Sequence, residues 1–411
     1  MERKGTRVVF CTYDSPGNVS GPNAWLLRLL PELVERSIFP SVLVFSLEPL
    51  NSPIADALSE KGLDVHVYRF KSTTRDKVRW ILKFASENTI NLFVPNHVIA
   101  AYYAAGHLKK AGIPTIGVLH SDDAFNRELL RLATHKNGFY CVRGLVCVSD
   151  FLRERAEETA PVDVSVNRIP CGVPIPSDRV SEPDETLRLV YVGRLEEEQK
   201  RISELTRSFC SVTRSVPGVA AMIIGNGTAT PSVRQIISEE RAGERVDLVG
   251  RVDPEQIQEK IMQGHVIVLL SDYEGLPIAL MEGMACGLVP ICKKISSGIP
   301  ELIDHEVNGL LVEDGKESFT LAVEELKTNP DFWTRLSARS RSTIAENFSS
   351  THCANEWADL IEFHAEFRRI KEINIPFLPK IPRLRRVFMR EDFRVHQVLA
   401  RAANRFLRYF S

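Results

Sequence analysis

Two carboxylates eight residues apart, Glu274 and Glu282, flank a turn of Gly275, Leu276 and Pro277 that directly follows the strongest apolar run, 266–270. Gly275 permits a tight backbone turn. Pro277 suits the first position of a helix, where its missing N–H has no partner anyway. The amides around 275–279 therefore open a helix whose N-terminus attracts an anion. Glu274 is expected at the loop tip and Glu282 about a turn and a half into the helix, both reaching one space. Carboxylates accept well from hydroxyls such as those of a sugar, although most carboxylates simply face solvent.

A second stretch, 189–195, ends in Gly193, Arg194 and Leu195, with Lys200 six residues after Arg194. A strand, a Gly and then exposed cations supply the point charges that a diphosphate needs, and Arg can grip two oxygens at once. The bland reading is a pair of solvated surface cations. Gly225-Asn226-Gly227 follows a further apolar run but lacks the rest of a Gly-x-Gly-x-x-Gly dinucleotide fingerprint. A Gly-bearing loop, 17–23, follows the first run and lets a ligand approach the backbone closely. His120 stands at the end of a run, where a lone His is more often a structural hydrogen-bonder than a functional one. Asp272-Tyr273-Glu274 superficially resembles a metal-binding triplet, but no second carboxylate cluster accompanies it.

Thirteen short apolar runs must position these groups. Seven lie at 7–11, 42–45, 65–68, 91–94, 115–119, 145–148 and 166–169. Six more lie at 189–192, 220–224, 246–249, 266–270, 289–292 and 309–312. Each is continuous rather than alternating, as expected for strands buried on both faces of a parallel sheet. Helical periodicity separates them, for example at Leu26, Leu29, Leu30, Leu33 and Val34, with Pro31 expected to kink that first helix. The alternation predicts an α/β, doubly wound fold. A stretch rich in Pro and charge, 172–187, reads as a linker between Rossmann-like domains at 1–172 and 187–345. Ligands of such folds bind where strand C-termini and helix N-termini face a common cleft.

Composition narrows the classes. The 411 residues carry 52 Lys and Arg against 53 Asp and Glu, a formal net charge of -1. That balance excludes a generally basic nucleic-acid binder and a disordered acidic chain. No run approaches the ~18 apolar residues of a membrane span, and the N-terminus lacks a signal-peptide pattern, so a cytoplasmic protein is expected. The eight Cys form no Cys-x-x-Cys pair, which predicts buried, reduced thiols and neither a zinc site nor a disulfide framework.

Taken together, and in order over about residues 5–350, these motifs resemble the retaining glycosyltransferases of family four, which have the GT-B fold. The carrying residues are the loop ending at Gly21, His120, Gly193-Arg194-Leu195 with Lys200, Gly225 and Gly227, Gly250 with Arg251, the Glu274 and Glu282 pair, and 297–312 from Ser297-Gly298 to Val312. The resemblance implies a donor site mostly in the second domain. Arg194 and Lys200 would hold a nucleotide diphosphate, Glu274 the sugar hydroxyls and Glu282 the ribose. Gly225, Gly227, Arg251 and the segment of Gly275, Leu276, Pro277 and Ile278 would line the donor. His120 and Gly21 would reach the transferred sugar from the first domain. It further implies a UDP-sugar donor, a glycan or lipid-linked acceptor in cell-surface polysaccharide synthesis, retention by same-face attack, and no metal or other cofactor. After Lys200 this chain has Arg201 where the family usually has Gly. A sugar-nucleotide epimerase on the same fold and a non-catalytic nucleotide-sugar-binding scaffold are the alternatives.

The end of the chain differs. Over 366–411 twelve Lys and Arg stand against four Asp and Glu, so the near-zero total hides a local surplus of eight positive charges. Pro376, Pro379 and Pro382 suggest an extended connector. Beyond it Val395, Val398, Leu399, Ala402, Phe406 and Tyr409 line one helical face beside Arg394, Arg401, Arg405 and Arg408. Residues 346–411 are thus expected as helices with a basic amphipathic tail that docks back on the first domain or lies on anionic membrane.

Overall fold

The computed structural model describes residues 5–14, 21–46, 51–68, 73–135, 138–253, 256–365, 372–377 and 379. The early loop at 17–20 and the amphipathic stretch at 395–409 lie outside the described residues. The chain divides into two compact units: one of residues up to Val148, Leu152–Ile169 and those from Ala354 on, the other of Ser149–Phe151 and Pro170–Cys353.

The first unit holds β1 (Thr6–Asp14), β2 (Ile38–Ser46), β3 (Asp64–Tyr68), β4 (Leu92–Val94), β5 (Ile116–Leu119), β6 (Gly144–Cys147) and β7 (Ser165–Arg168). All pairings are parallel, in the orders β3-β2-β1-β4 and β5-β6-β7. A bridge between Phe93 and Thr115 joins the two sets. Every one of these strands coincides with an apolar run. β1 and β2 outrun theirs because they pair residue for residue from Thr6 with Ile38 to Asp14 with Ser46. Pro40 is tolerated in β2 because β3 pairs only from Ser41 onward. The helix Gly21–Glu35 buries Trp25, Leu26, Leu29, Leu30 and Leu33 and runs through Pro31, so Gly21 opens a helix. Trp25 packs against Phe10 and against Trp357 of the helix Ser350–Ala365, with ring centroids 6.3 and 5.5 Å away.

The second unit holds β8 (Leu187–Val192), β9 (Val219–Ile224), β10 (Val246–Gly250), β11 (Val266–Leu269), β12 (Val289–Lys293) and β13 (Leu310–Val312). They form one parallel sheet of order β10-β9-β8-β11-β12-β13. The strand order reverses between β8 and β11. In open α/β sheets such a switch point leaves a crevice at the carboxyl ends of the strands, and ligands settle there.

The break falls at Pro170 rather than at 172, and the second unit continues to Cys353 rather than 345. The Pro-rich stretch is no loose linker. Arg341 donates to the carbonyls of Pro176, Asp178 and Ala285, and Val180 donates to Cys286. Backbone polar groups that composition alone assigns to solvent are satisfied within the second unit. All eight cysteines are buried as free thiols. Among the described residues no helix is long and apolar enough to cross a membrane.

One buried side chain ties this unit to pH. The Nδ1 of His265 accepts from the Arg188 amide at 3.0 Å, and its carbonyl accepts from the Trp333 indole at 3.1 Å. Burial first, then repulsion from Arg188, pushes its pKa down to about 4. The folded pKa lies below the ordinary value, so folding disfavours the proton. The stabilisation is complete above about pH 6.5 and is lost as pH falls towards 4. Urea titrations at pH 7 and pH 4 should show a His265→Asn variant losing less stability than the wild type, by on the order of 2 kcal/mol. Equal losses would remove His265 from the account.

Candidate functional site

Arg194, Lys200, Glu274 and the turn of Gly225 and Gly227 gather past the carboxyl ends of β8, β9 and β11. Tyr191, buried in β8, donates its hydroxyl to the Arg194 carbonyl at 2.9 Å and fixes the turn that carries the guanidinium. Desolvation, then the nearby Glu274 charge, raises the Tyr191 pKa, so it stays a donor. The turn after β9 backs this one directly. Gly225 has φ +144°, and a Cβ there would lie 1.9 Å from the Gly193 carbonyl oxygen. A Cβ on Gly227 would lie 2.3 Å from that of Leu195. The two Gly positions expected to line a ligand therefore have a structural role as well, which is to let two backbones touch.

Lys200 and Glu274 make the central contact. The Lys200 Nζ lies 2.6 Å from Glu274 Oε1, with the side chains 13% and 6% exposed. Lys200 is thus not an exposed cation, and Glu274 is packed rather than standing free at a loop tip, because each covers the other's charge. Gln199, which no motif marked, bridges the same loops. Its amide donates to the Tyr273 carbonyl at 3.0 Å and to Glu274 Oε2 at 3.4 Å, and its own carbonyl accepts from the Asp272 amide at 3.0 Å. Arg194 is half-exposed; its guanidinium donates to Glu196 at 2.9 Å and to Gln199 at 3.3 Å.

Asp272 does not act as part of an acidic triplet. Its carboxylate pairs with Lys293, at the end of β12, at 2.9 Å and with Arg201 at 3.4 Å. Lys293 is a further cation that sequence reasoning missed, since it belongs to no recognisable spacing. Arg201 has φ +50° and ψ +41° and caps the helix Ile202–Ser215 in the left-handed region. That conformation explains the Gly that the resembling family has there. The ion pairs of Arg201 with Asp272 and Glu204 hold an unfavourable backbone in place.

Pro277 stands one position earlier than expected, as N-cap (φ −73°, ψ 107°) of the helix Ile278–Ala285. Its carbonyl accepts from Leu280 and Met281, so it starts the helix from outside. Gly298 donates to the Gly275 carbonyl at 3.0 Å and pins the turn. Leu276 is buried, Ile278 and Glu282 are partly exposed, and Arg251 is exposed beyond β10. His120 and Gly21 belong to the first unit. There His120 follows β5, its ring 5.1 Å from Trp25 and its Nε2 2.8 Å from Asn96 Oδ1. Burial, then the neighbouring His97, lowers its pKa well below the ordinary value, so the ring is neutral.

Residues 177–343 match the sequence profile of the glycosyl transferases group 1. The match is confined to this part of the chain, which is similar to that family. The chain is 33% identical over 146 residues to the amylovoran biosynthesis glycosyltransferase AmsK of Erwinia amylovora, covering 34% of this chain and 35% of that protein. It thus spans about a third of AmsK's length. It is 26% identical over 294 residues to WcaL of Salmonella typhimurium, named as a putative colanic acid biosynthesis glycosyltransferase, covering 68% and 71% of the two chains. The structure of Anabaena Alr3699/HepE in complex with UDP and glucose superposes with a TM-score of 0.70 over 87% of this chain and 100% of that one, at 16% identity. That likeness shows the fold, which is GT-B.

The left-handed residue gives a stability test. Arg201→Gly and Arg201→Ala both lose the ion pairs, but only Gly fits φ +50° freely. The Gly variant should be the more stable by about 1 kcal/mol in thermal or urea unfolding. Equal stability would mean that this backbone is not left-handed in solution.

Proposed function

We propose that the protein is a retaining, metal-independent glycosyltransferase that moves a sugar from a UDP-sugar to a glycan or lipid-linked glycan in polysaccharide synthesis. The observation that carries the reading is the buried pair of Lys200 and Glu274 beside Arg194, set at the switch point next to the start of the helix Ile278–Ala285. The family that residues 177–343 resemble, relatives named for exopolysaccharide synthesis, and a similar fold that binds UDP and glucose support it.

The chemistry follows from charge. As the glycosidic bond breaks, negative charge grows on the leaving diphosphate and the sugar becomes oxocarbenium-like. Arg194 and Lys200 face the diphosphate and supply the neutralising charge that other enzymes draw from a metal. Glu274 shares Lys200 with the donor and accepts from sugar hydroxyls. The amides of Gly275, Leu276 and Ile278 close around the sugar and phosphate, while the carbonyl-only Pro277 shapes the turn. Glu282 takes the ribose hydroxyls, and Arg251 with the turn of Gly225 and Gly227 borders the nucleotide. His120, with the helix start at Gly21, serves the transferred sugar from the first unit. Retention proceeds by same-face attack, the leaving phosphate accepting the acceptor's proton.

Panels of UDP-, GDP- and ADP-sugars, with EDTA present, test donor and metal independence by binding and by slow donor hydrolysis. Lys200→Ala and Glu274→Gln should each lower turnover about 10²–10³-fold. Unchanged turnover in both variants would sink the site assignment. Interconversion of donors without acceptor would instead identify an epimerase. The basic stretch 376–411, read from sequence alone, would hold the enzyme on the cytoplasmic face of an anionic membrane, where a lipid-linked acceptor resides. Removing it should abolish salt-sensitive binding to vesicles of anionic phospholipid and leave UDP binding intact. Vesicle binding that ignores salt, or none by the whole chain, would refute that part.

A further inference from the structure

We infer that Asp272 is a positioning residue that fixes the root of the Lys200 side chain, and so decides where its ammonium stands when a diphosphate draws it from Glu274. The inference rests on the role proposed for Lys200. It starts from an outlier. Arg201 follows Lys200 directly and has φ +50°. Such a backbone costs free energy in any residue with a side chain, and it persists only where its surroundings over-determine it. The surroundings here converge on Asp272, which grips both chain neighbours of Lys200. Its amide donates to the carbonyl of Gln199, just before Lys200, at 3.0 Å. Its Oδ2 lies 3.4 Å from the Nε of Arg201, just after Lys200. Its Oδ1 accepts from the Nζ of Lys293 at 2.9 Å, which ties the arrangement to the end of β12.

The loop after β11 thus holds Lys200 twice. Glu274 holds the tip, through the 2.6 Å contact at Nζ, and Asp272 holds the root. A ligand affects the two holds differently. The Lys side chain is a flexible four-carbon stem that ends in a point charge, and a diphosphate competes with Glu274 for that charge. The tip hold therefore loosens on binding. The root hold involves no atom of the Lys200 side chain, so it stays. Each ion pair of Asp272 is partly exposed and is a weak source of stability taken alone. Their use is directional: a separate cation binds each oxygen of one carboxylate, which cannot turn without breaking a contact. Arg201 gives Asp272 a charge to hold where the Gly of the resembling family would give none.

Two measurements on the whole chain test this. Acylation of amines followed by mass spectrometry reads the hold without any ligand. Asp272→Asn keeps the shape and the backbone hydrogen bond, and should raise the labelling rate of Lys200 several-fold. Labelling of Lys327, on the helix Glu317–Thr328 of the same unit, should stay unchanged. Lys293→Met, which frees Asp272 from β12, should act in the same direction. Binding of UDP reads the consequence. Asp272→Asn should weaken it about tenfold in the wild-type background and less than about twofold beside Lys200→Ala, because a residue that acts through Lys200 then has nothing to act on. With Lys200→Ala itself weakening UDP, an equal effect of Asp272→Asn in both backgrounds overturns the inference, as does wild-type labelling of Lys200 in Asp272→Asn. Lys200→Ala with normal UDP affinity, alongside faster labelling in Asp272→Asn, overturns the role proposed for Lys200 and leaves the hold by Asp272 standing.

Discussion

The ion pair of Lys200 with Glu274 joins the loop after β8 to the loop after β11, across the one place where the sheet order reverses. Burying two charges costs more than their attraction returns unless hydrogen bonds complete the arrangement. Here the Gln199 amide reaches the second carboxylate oxygen, and its backbone carbonyl holds Asp272 on the same loop. A crevice that sheet topology would leave open and pliable is thus stitched shut at its base. Such a pair is a weak source of stability. Its value on the proposed reading is that a cation and a carboxylate are held ready in a dry environment, where a phosphate arriving at Lys200 meets a charge already desolvated.

The second support is steric. Arg194 is aimed by a turn whose back is covered by another turn, and no side chain fits between Gly225 and the Gly193 carbonyl. The hydroxyl of Tyr191 closes the turn from inside. These contacts are made by the Tyr191 side chain and by the residues that immediately follow β8 and β9, strands locked in register from Leu187 with Val219 to Val192 with Ile224. The direction of the guanidinium is therefore inherited from the sheet, and only its outer end remains adjustable.

Most strands were legible because a strand buried on both faces has to be apolar throughout; β3, β7 and β10, which carry His66, Asn167, Arg168 and Asp247 and are only partly buried, were legible from their remaining Val, Leu and Tyr residues. Of the candidate site only residue types were legible: Lys200 and Glu274 meet, and Gln199 links Arg194 to them. Their pairing was not, because Lys200 and Glu274 are 74 residues apart and meet only through the register that sets Val266 against Leu189. Gln199 and Lys293 were invisible for the same reason, being ordinary polar residues placed by neighbouring strands. Arg201 was hidden differently, since nothing in an Arg announces a left-handed backbone. The Pro-rich stretch near 176 misled because composition reports what a segment cannot do, while two hydrogen bonds from Arg341, at Pro176 and Asp178, and one from Val180 to Cys286 decide what it does.

The two units also divide the electrostatics. The second concentrates full charges, in Arg194, Lys200, Arg201 and Lys293 with their carboxylates. In the first, His120 touches the uncharged Trp25, His97, Asn96 and Asn126, and the Asp123 carboxylate lies one contact further out, on Asn126. On the proposed chemistry this division has a cause. A leaving diphosphate is stabilised by fixed cations, whereas a sugar that becomes oxocarbenium-like would be repelled by one. An imidazolium at His120 would oppose the transition state it is meant to serve. Burial and the adjacent His97 keep that ring neutral, which the role proposed for it requires.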